Sequence, residues 1–99
     1  MPFIEFNLAE WLFLLKKVRL VKEIPHVRYK IQIFQYNGKY ILKIELAQFE
    51  QTFKIGDLDV SGVEEVEKMI TEELLNNTLK RFVEMREDWH TAFKQKNNK

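Results

Sequence analysis

Few residues in this chain have the types and spacing to do chemistry, and the densest set is Asp57-Leu58-Asp59-Val60-Ser61-Gly62. Oxygen donors at the first, third and fifth positions followed by glycine at the sixth are the opening of a calcium-binding loop, which then needs a bidentate Glu at the twelfth. That twelfth position is Lys68, and the eighth, ordinarily apolar, is Glu64. A cation in the seat of the strongest ligand repels the ion, so no metal site is expected. The same residues read well as a helix start. Ser61 is placed to cap the helix, Glu64 to close a capping box, and Glu65 and Glu67 to meet the positive end of the helix dipole.

Catalytic groups are sparse. Ser61 is the only serine, there is no cysteine, and neither His26 nor His90 has a neighbour that suggests a triad or a ligand set. Glu64, Glu65, Glu67, Glu72 and Glu73 form a carboxylate run near a helix start, which reads as a solvated face and not as an acid/base pair. No glycine-rich phosphate loop is present. Asn76-Asn77-Thr78 matches a glycosylation acceptor only formally, because its setting is helical and no export signal accompanies it. The sequence therefore implies no enzyme, no cofactor and no small-molecule substrate.

The composition limits what must hold these residues. A chain of 99 residues allows one domain, here residues 1–95, with 96–99 expected to fray as a tail. The hydrophobic share of 45% suffices for one core, and the near-balanced net charge of +1 means any attraction to nucleic acid must come from local clustering. No disulfide can form. The run Trp11-Leu12-Phe13-Leu14-Leu15 is too short to span a bilayer and has no basic stretch before it, so a soluble, cytoplasmic protein is expected.

The elements follow from periodicity. Asn7 with Glu10 forms a capping-box pattern, and Leu8, Trp11, Leu12, Leu15 and Val18 recur at helical spacing, which predicts a helix to about Glu23, stopped by Pro25. Residues 17–24 also suit an edge strand. Asn37-Gly38 between two alternating runs is a strong hairpin signal. It pairs Tyr36 with Lys39 next to the turn, and, on the oily side, Ile33 with Leu42, Ile31 with Ile44 and Tyr29 with Leu46. Phe34 then faces Ile41, Gln32 faces Lys43 and Lys30 faces Glu45. With residues 47–50 as a four-residue loop, Phe53 comes opposite Ile44 and Ile55 opposite Leu42, completing a three-stranded antiparallel meander.

From Ser61 a helical pattern runs towards Gln95. At ~1.5 Å per residue this is ~50 Å of helix over strands of ~26 Å, so a straight helix overhangs the sheet. Val63, Val66, Ile70 and Leu74 form one stripe, and Leu75, Leu79, Phe82, Trp89 and Phe93 another, rotated by ~120°. The phase changes at Leu74-Leu75, just before Asn76-Asn77, where either the helix breaks and its second half folds back over the domain, taking Trp89 and Phe93 into the core, or it continues and presents an apolar stripe to another chain. The fold class is thus α+β in the order αβββα.

The element order resembles that of the double-stranded RNA-binding domain, with Pro25-His26 echoing a loop of that family. Where that family presents a lysine pair at the start of its last helix, this chain has Glu64 and Glu65. The resemblance is one of topology, and no membership follows.

Two binding surfaces emerge. The first is apolar: Phe13 and Leu20 from the N-terminal segment, with Leu79, Phe82, Arg86, Trp89 and Phe93 from the last helix. It predicts a non-enzymatic interaction module that self-associates or binds a protein partner. Arg86 in its midst favours a partly wet seam, its long stem able to snorkel. The alternative is nucleic-acid binding by the outer sheet face, where Arg28, Lys30, Lys43 and Lys54, with Lys39 at the turn, surround Phe34, Tyr36 and Ile41 against the one acid Glu45. Membrane contact is disfavoured, since Lys16, Lys17, Arg19 and Lys22 follow the oily run without forming one polar face.

Overall fold

The computed structural model describes residues 18–98. The predicted capping box at Asn7 and Glu10, the stripe from Leu8 to Leu15, and Phe13 lie outside the described residues.

Within them the chain is α+β, built on a four-stranded antiparallel meander. Its strands are β1 (Arg19–Ile24), β2 (Lys30–Tyr36), β3 (Lys39–Leu46) and β4 (Phe49–Gly56). Two helices follow, α1 (Val63–Lys68) and α2 (Glu72–Gln95), then a 3-10 turn at Lys96–Asn98. The sheet has one strand more than the three expected. Residues 19–23, predicted as the end of a helix, instead pair antiparallel with β2, Arg19 opposite Gln35 and Ile24 opposite Ile31. Val18, Val21 and Ile24 suit either state, and the open edge of β2 decides between them by offering unpaired backbone groups. Val21 is the extra residue of a bulge between Leu20 and Lys22. Pro25 stops this element as expected, but the element is a strand.

The central hairpin has the predicted register from Tyr36↔Lys39 through Lys30↔Glu45. Asn37 and Gly38 both take positive φ, 52° and 75°, as the two-residue type I′ turn requires. The next turn differs from expectation. Ala47 and Gln48 make a two-residue connection, so Phe53 faces Leu42 and Ile55 faces Tyr40, two residues from the predicted pairing. A two-residue slip preserves the faces, so the oily set remains on one side of the sheet.

That side carries the core: Tyr29, Ile31, Ile33, Leu42 and Ile44 are buried against Val66 of α1 and Phe82 of α2. Gly62, not Ser61, is the N-cap of α1, and Ser61 uses its N–H and hydroxyl to reach the Glu65 carboxylate, both at 3.3 Å. The chain then breaks at Met69–Thr71 and not near Asn76-Asn77, which lie inside α2. The signal is local: the Thr71 hydroxyl oxygen accepts the Leu74 N–H at 3.1 Å, with Glu72 and Glu73 in the first turn. At the sheet edge Lys22 of β1 pairs with Glu67 of α1.

Candidate interaction surface

The first half of α2 is fixed to the sheet by polar and apolar contacts together. The Tyr29 hydroxyl donates to the Leu75 carbonyl at 3.2 Å, and the Gln51 amide donates to the Thr78 carbonyl at 3.0 Å. Arg81 Nε donates in turn to Gln51 Oε1 at 2.7 Å. Thr78 is wholly buried, and its hydroxyl donates to the Leu74 carbonyl at 2.8 Å. Phe82 is 3% exposed and lies with its ring centroid 6.0 Å from that of Tyr29. These contacts set the direction in which the rest of the helix leaves.

At 24 residues, α2 is ~36 Å long, whereas an eight-residue strand covers ~27 Å. The helix passes the β3–β4 turn and continues beyond it. Leu46, Ala47, Gln48 and Phe49 on the sheet side and Leu79, Phe82, Val83 and Arg86 on the helix enclose an open groove of about 340 Å³. Beyond the groove nothing among the described residues covers the stripe: Trp89 is 54% exposed and Phe93 55%. Trp89 stands two helical turns after Phe82, on nearly the same line of the helix, so it faces the direction of the core but past the end of the sheet. The Lys96 ammonium sits 4.5 Å from the Phe93 ring centroid, partly screening it.

The residues predicted to form one apolar surface are therefore separated. Phe13 is outside the described residues. Leu20 is half-exposed on β1 opposite Phe34, on the sheet face away from the helices, and cannot join the α2 stripe. Phe82 belongs to the core and is not available to a partner. Leu79 and Arg86 border the groove, while Trp89 and Phe93 remain open. Val83, Leu46 and Phe49 were not anticipated as part of this surface. The sequence held one indication of it: Val83 widens the stripe beside Arg86.

Ala47, at the lip of the groove, has φ 55°. With positive φ at the first of two turn residues, this is the type II′ arrangement that normally takes glycine. A side chain there is strained, and backbone strain concentrates where a site requires a particular shape.

The outer sheet face is less basic than expected. Lys30, Phe34, Tyr36, Lys43 and Lys54 do share it, with Lys39 and Ile41. Arg28 does not: it lies in the β1–β2 loop, where its N–H donates to His26 Nδ1 at 3.0 Å and its guanidinium lies 6.0 Å from the centroid of the core residue Tyr29. The corrected β4 register puts Glu50 directly opposite Glu45, and β1 adds Glu23 opposite Gln32. Lys43 is drawn to Glu50 at 3.7 Å and lies over the Phe34 ring at 5.7 Å. Three acids thus interleave with the four lysines, and Glu45 is not the face's single acid.

Among titratable groups Lys22 stands apart. The hydrogen bond it donates to Glu67, with that carboxylate's charge, holds its pKa above the ordinary lysine value. Among the described residues no group of three His, Asp or Glu side chains converges as a metal site would need, and no helix is long and apolar enough to cross a membrane. Set against family models, curated proteins and solved structures, the chain finds no match in any of the three.

Proposed function

We propose that this chain is a non-enzymatic interaction module that pairs with a second copy of itself through the overhanging half of α2. The observation that carries the reading is that groove and protruding aromatics lie on one helix in mirror spacing about Arg86. Val83 and Trp89 stand three residues either side of it, and Leu79 and Phe93 seven. Two such helices crossing antiparallel at Arg86 bring Trp89 of each copy over Val83 of the other, and Phe93 over the groove beside Leu79. This is the reciprocal contact a two-fold interface requires. The strained turn at Ala47 and the uncharged flanks at Met85 and Ala92 support the same face.

Its strength has a ceiling. Aromatic side chains bury ~150–250 Å² each, and these two are about half open, so the seam falls well short of the ~800 Å² per partner of a standard interface unless the groove walls join in. Arg86 meets its own copy at the centre, which weakens the pair further. A dissociating dimer is the expected species.

Light scattering across a concentration series tests this. A mass that rises towards twice the monomer is expected, lost in Trp89→Glu with the fold kept, and reached at lower concentration in Arg86→Leu. A monomer at every concentration, or an Arg86→Leu protein that dimerises no better, would sink the reading. Salt-sensitive binding to an oligonucleotide, abolished by Lys30→Glu with Lys43→Glu, would instead favour the outer sheet face.

A further inference from the structure

The sheet ends in two edge strands, β1 and β4, and they are built differently. β1 is interrupted by the bulge at Val21, carries Arg19 and Lys22, and ties Lys22 to Glu67 of α1. Bulges and cations are what keeps an edge from pairing with another chain. β4 has no bulge. All eight of its residues pair in regular register with β3, and nothing among the described residues pairs with its other side.

The backbone of β4 is set to receive a strand. Ala47-Gln48 is a two-residue turn, so Leu46 and Phe49 bond each other and the ladder alternates from there: Gln51, Phe53 and Ile55 bond towards β3, while Glu50, Thr52 and Lys54 direct their N–H and C=O groups outward. The Asp57 N–H, which donates to the Gly38 carbonyl at 2.9 Å, continues the set bonded towards β3.

The side chains of the outward set say which strand fits. Glu50, Thr52 and Lys54 are their own complement, because an antiparallel copy with Thr52 opposite Thr52 puts Glu50 opposite Lys54 on both sides of the centre. Each charge is poorly served within one chain. Glu50 faces Glu45, with Lys43 no nearer than 3.7 Å, and Lys54 faces Ile41 and makes no ion pair among the described residues. On the helix side of the sheet the same register lays the half-exposed Phe53 beside Gln51 of the other copy.

We infer that β4 pairs antiparallel with β4 of a second copy, centred on Thr52, so that two four-stranded sheets join into one with the helices of both copies on the same side. Thr52 exchanges both backbone hydrogen bonds with its counterpart, and each Glu50 exchanges both with Lys54 of the other copy, the reciprocity that a two-fold contact requires. This seam uses neither Trp89 nor Phe93 and does not rest on how α2 pairs. It covers one half-exposed aromatic per copy where the α2 seam covers two, so it closes at higher concentration and links α2 pairs into larger assemblies.

Cysteine cross-linking in the Trp89→Glu protein, which removes α2 pairing, tests the edge alone. The chain has no cysteine, so Thr52→Cys adds a single thiol. A hydrogen-bonded antiparallel pair holds its Cα ~5.5 Å from its counterpart, within the ~4.4–6.8 Å that a disulfide spans. Leu58→Cys, fully open two residues past β4 and remote from its own counterpart in this register, measures chance collision. Under mild oxidation Thr52→Cys is expected to form a covalent dimer several-fold faster than Leu58→Cys. Adding Lys54→Glu sets like charges on both sides of the centre and is expected to slow the reaction several-fold. Adding Glu50→Lys as well restores both pairs and the rate, with the far-UV spectrum unchanged throughout. Thr52→Cys that links no faster than Leu58→Cys overturns the inference. So does a Lys54→Glu protein that links as fast as its parent, or a double reversal that brings back none of the lost rate. Failure of α2 pairing is read separately, by mass in the protein with Trp89 intact.

Discussion

The two halves of α2 have the same pattern and different fates. Leu75, Phe82 and Trp89 stand seven residues apart in one row, and Leu79, Arg86 and Phe93 in the row beside it. Up to Phe82 these rows meet Tyr29, Leu46 and the rest of the core; after Arg86 nothing among the described residues covers them, and Trp89 and Phe93 are about half exposed. Helix propensity and periodicity are continuous across the boundary. What changes is the platform, because β3 and β4 end in the turn at Ala47-Gln48. A heptad row records that a surface wants a partner. It does not record where that partner lies, and here packing against the sheet gives way to half-exposed side chains within two turns of one helix.

The sharpest way to break this comparison is to remove one phenylalanine from each half. Phe82→Ala empties a site packed against Tyr29 and is expected to cost about 3–5 kcal/mol, a large share of what a domain of this size has in total. Phe93→Ala, made at concentrations where the chain is a monomer, is expected to change stability by no more than about 0.5 kcal/mol. Urea unfolding of the two variants measures both. If Phe93→Ala costs as much as Phe82→Ala, the overhang is packed in the monomer and the two halves are not different.

The same contrast explains what was legible beforehand. The β2–β3 hairpin could be read to the residue because Asn37-Gly38 fixes the turn and strict alternation fixes the face. That the helical region outruns the sheet was legible too, since it needs only rise per residue, but it left open whether Trp89 and Phe93 fold back into the core or stay exposed. Phe82 could not be separated from them, because the sequence does not say where the platform stops. The break at Met69–Thr71 went unread because it uses neither glycine nor proline, only the Thr71 cap. In β4 the tight turn was hidden because Ala47 occupies a glycine's place, and that one misreading also concealed Glu50 on the outer face. Arg19–Ile24 is the remaining case: its residues fit helix or strand, and the choice was made by an edge elsewhere in the chain.

Ala47 gives a second, smaller lever on the comparison, since it ends the platform and forms the lip of the groove. A non-glycine residue in the left-handed region costs roughly 1–2 kcal/mol, and glycine relieves this at some cost in unfolded-chain entropy. Ala47→Gly is therefore expected to stabilise the monomer by about 0.5–1 kcal/mol, read as a higher urea midpoint at unchanged slope. Loss of stability would mean that the methyl group packs in the groove by more than its backbone strain costs.

The smallest effect concerns a contact that is neither in the core nor absent, the Lys22–Glu67 pair that ties β1 to α1. Both side chains are over a third exposed, so water and salt screen the attraction and its contribution to stability is minor. Its pH dependence still has a definite sign. The hydrogen bond and charge of Glu67 raise the folded-state pKa of Lys22 above its unfolded value. The pair's contribution is therefore full below the ordinary lysine value and is lost as pH rises through the raised one. The urea midpoint of the wild type should fall more on the alkaline side than that of Glu67→Gln, and the gap between the two curves should close at ~1 M salt, where the screening length is ~3 Å. Curves that run parallel throughout would show that this edge contact adds nothing. In that case the helices stay on the sheet by the buried faces of Val66 and Phe82, and by the hydrogen bonds of Tyr29 and Gln51 to α2.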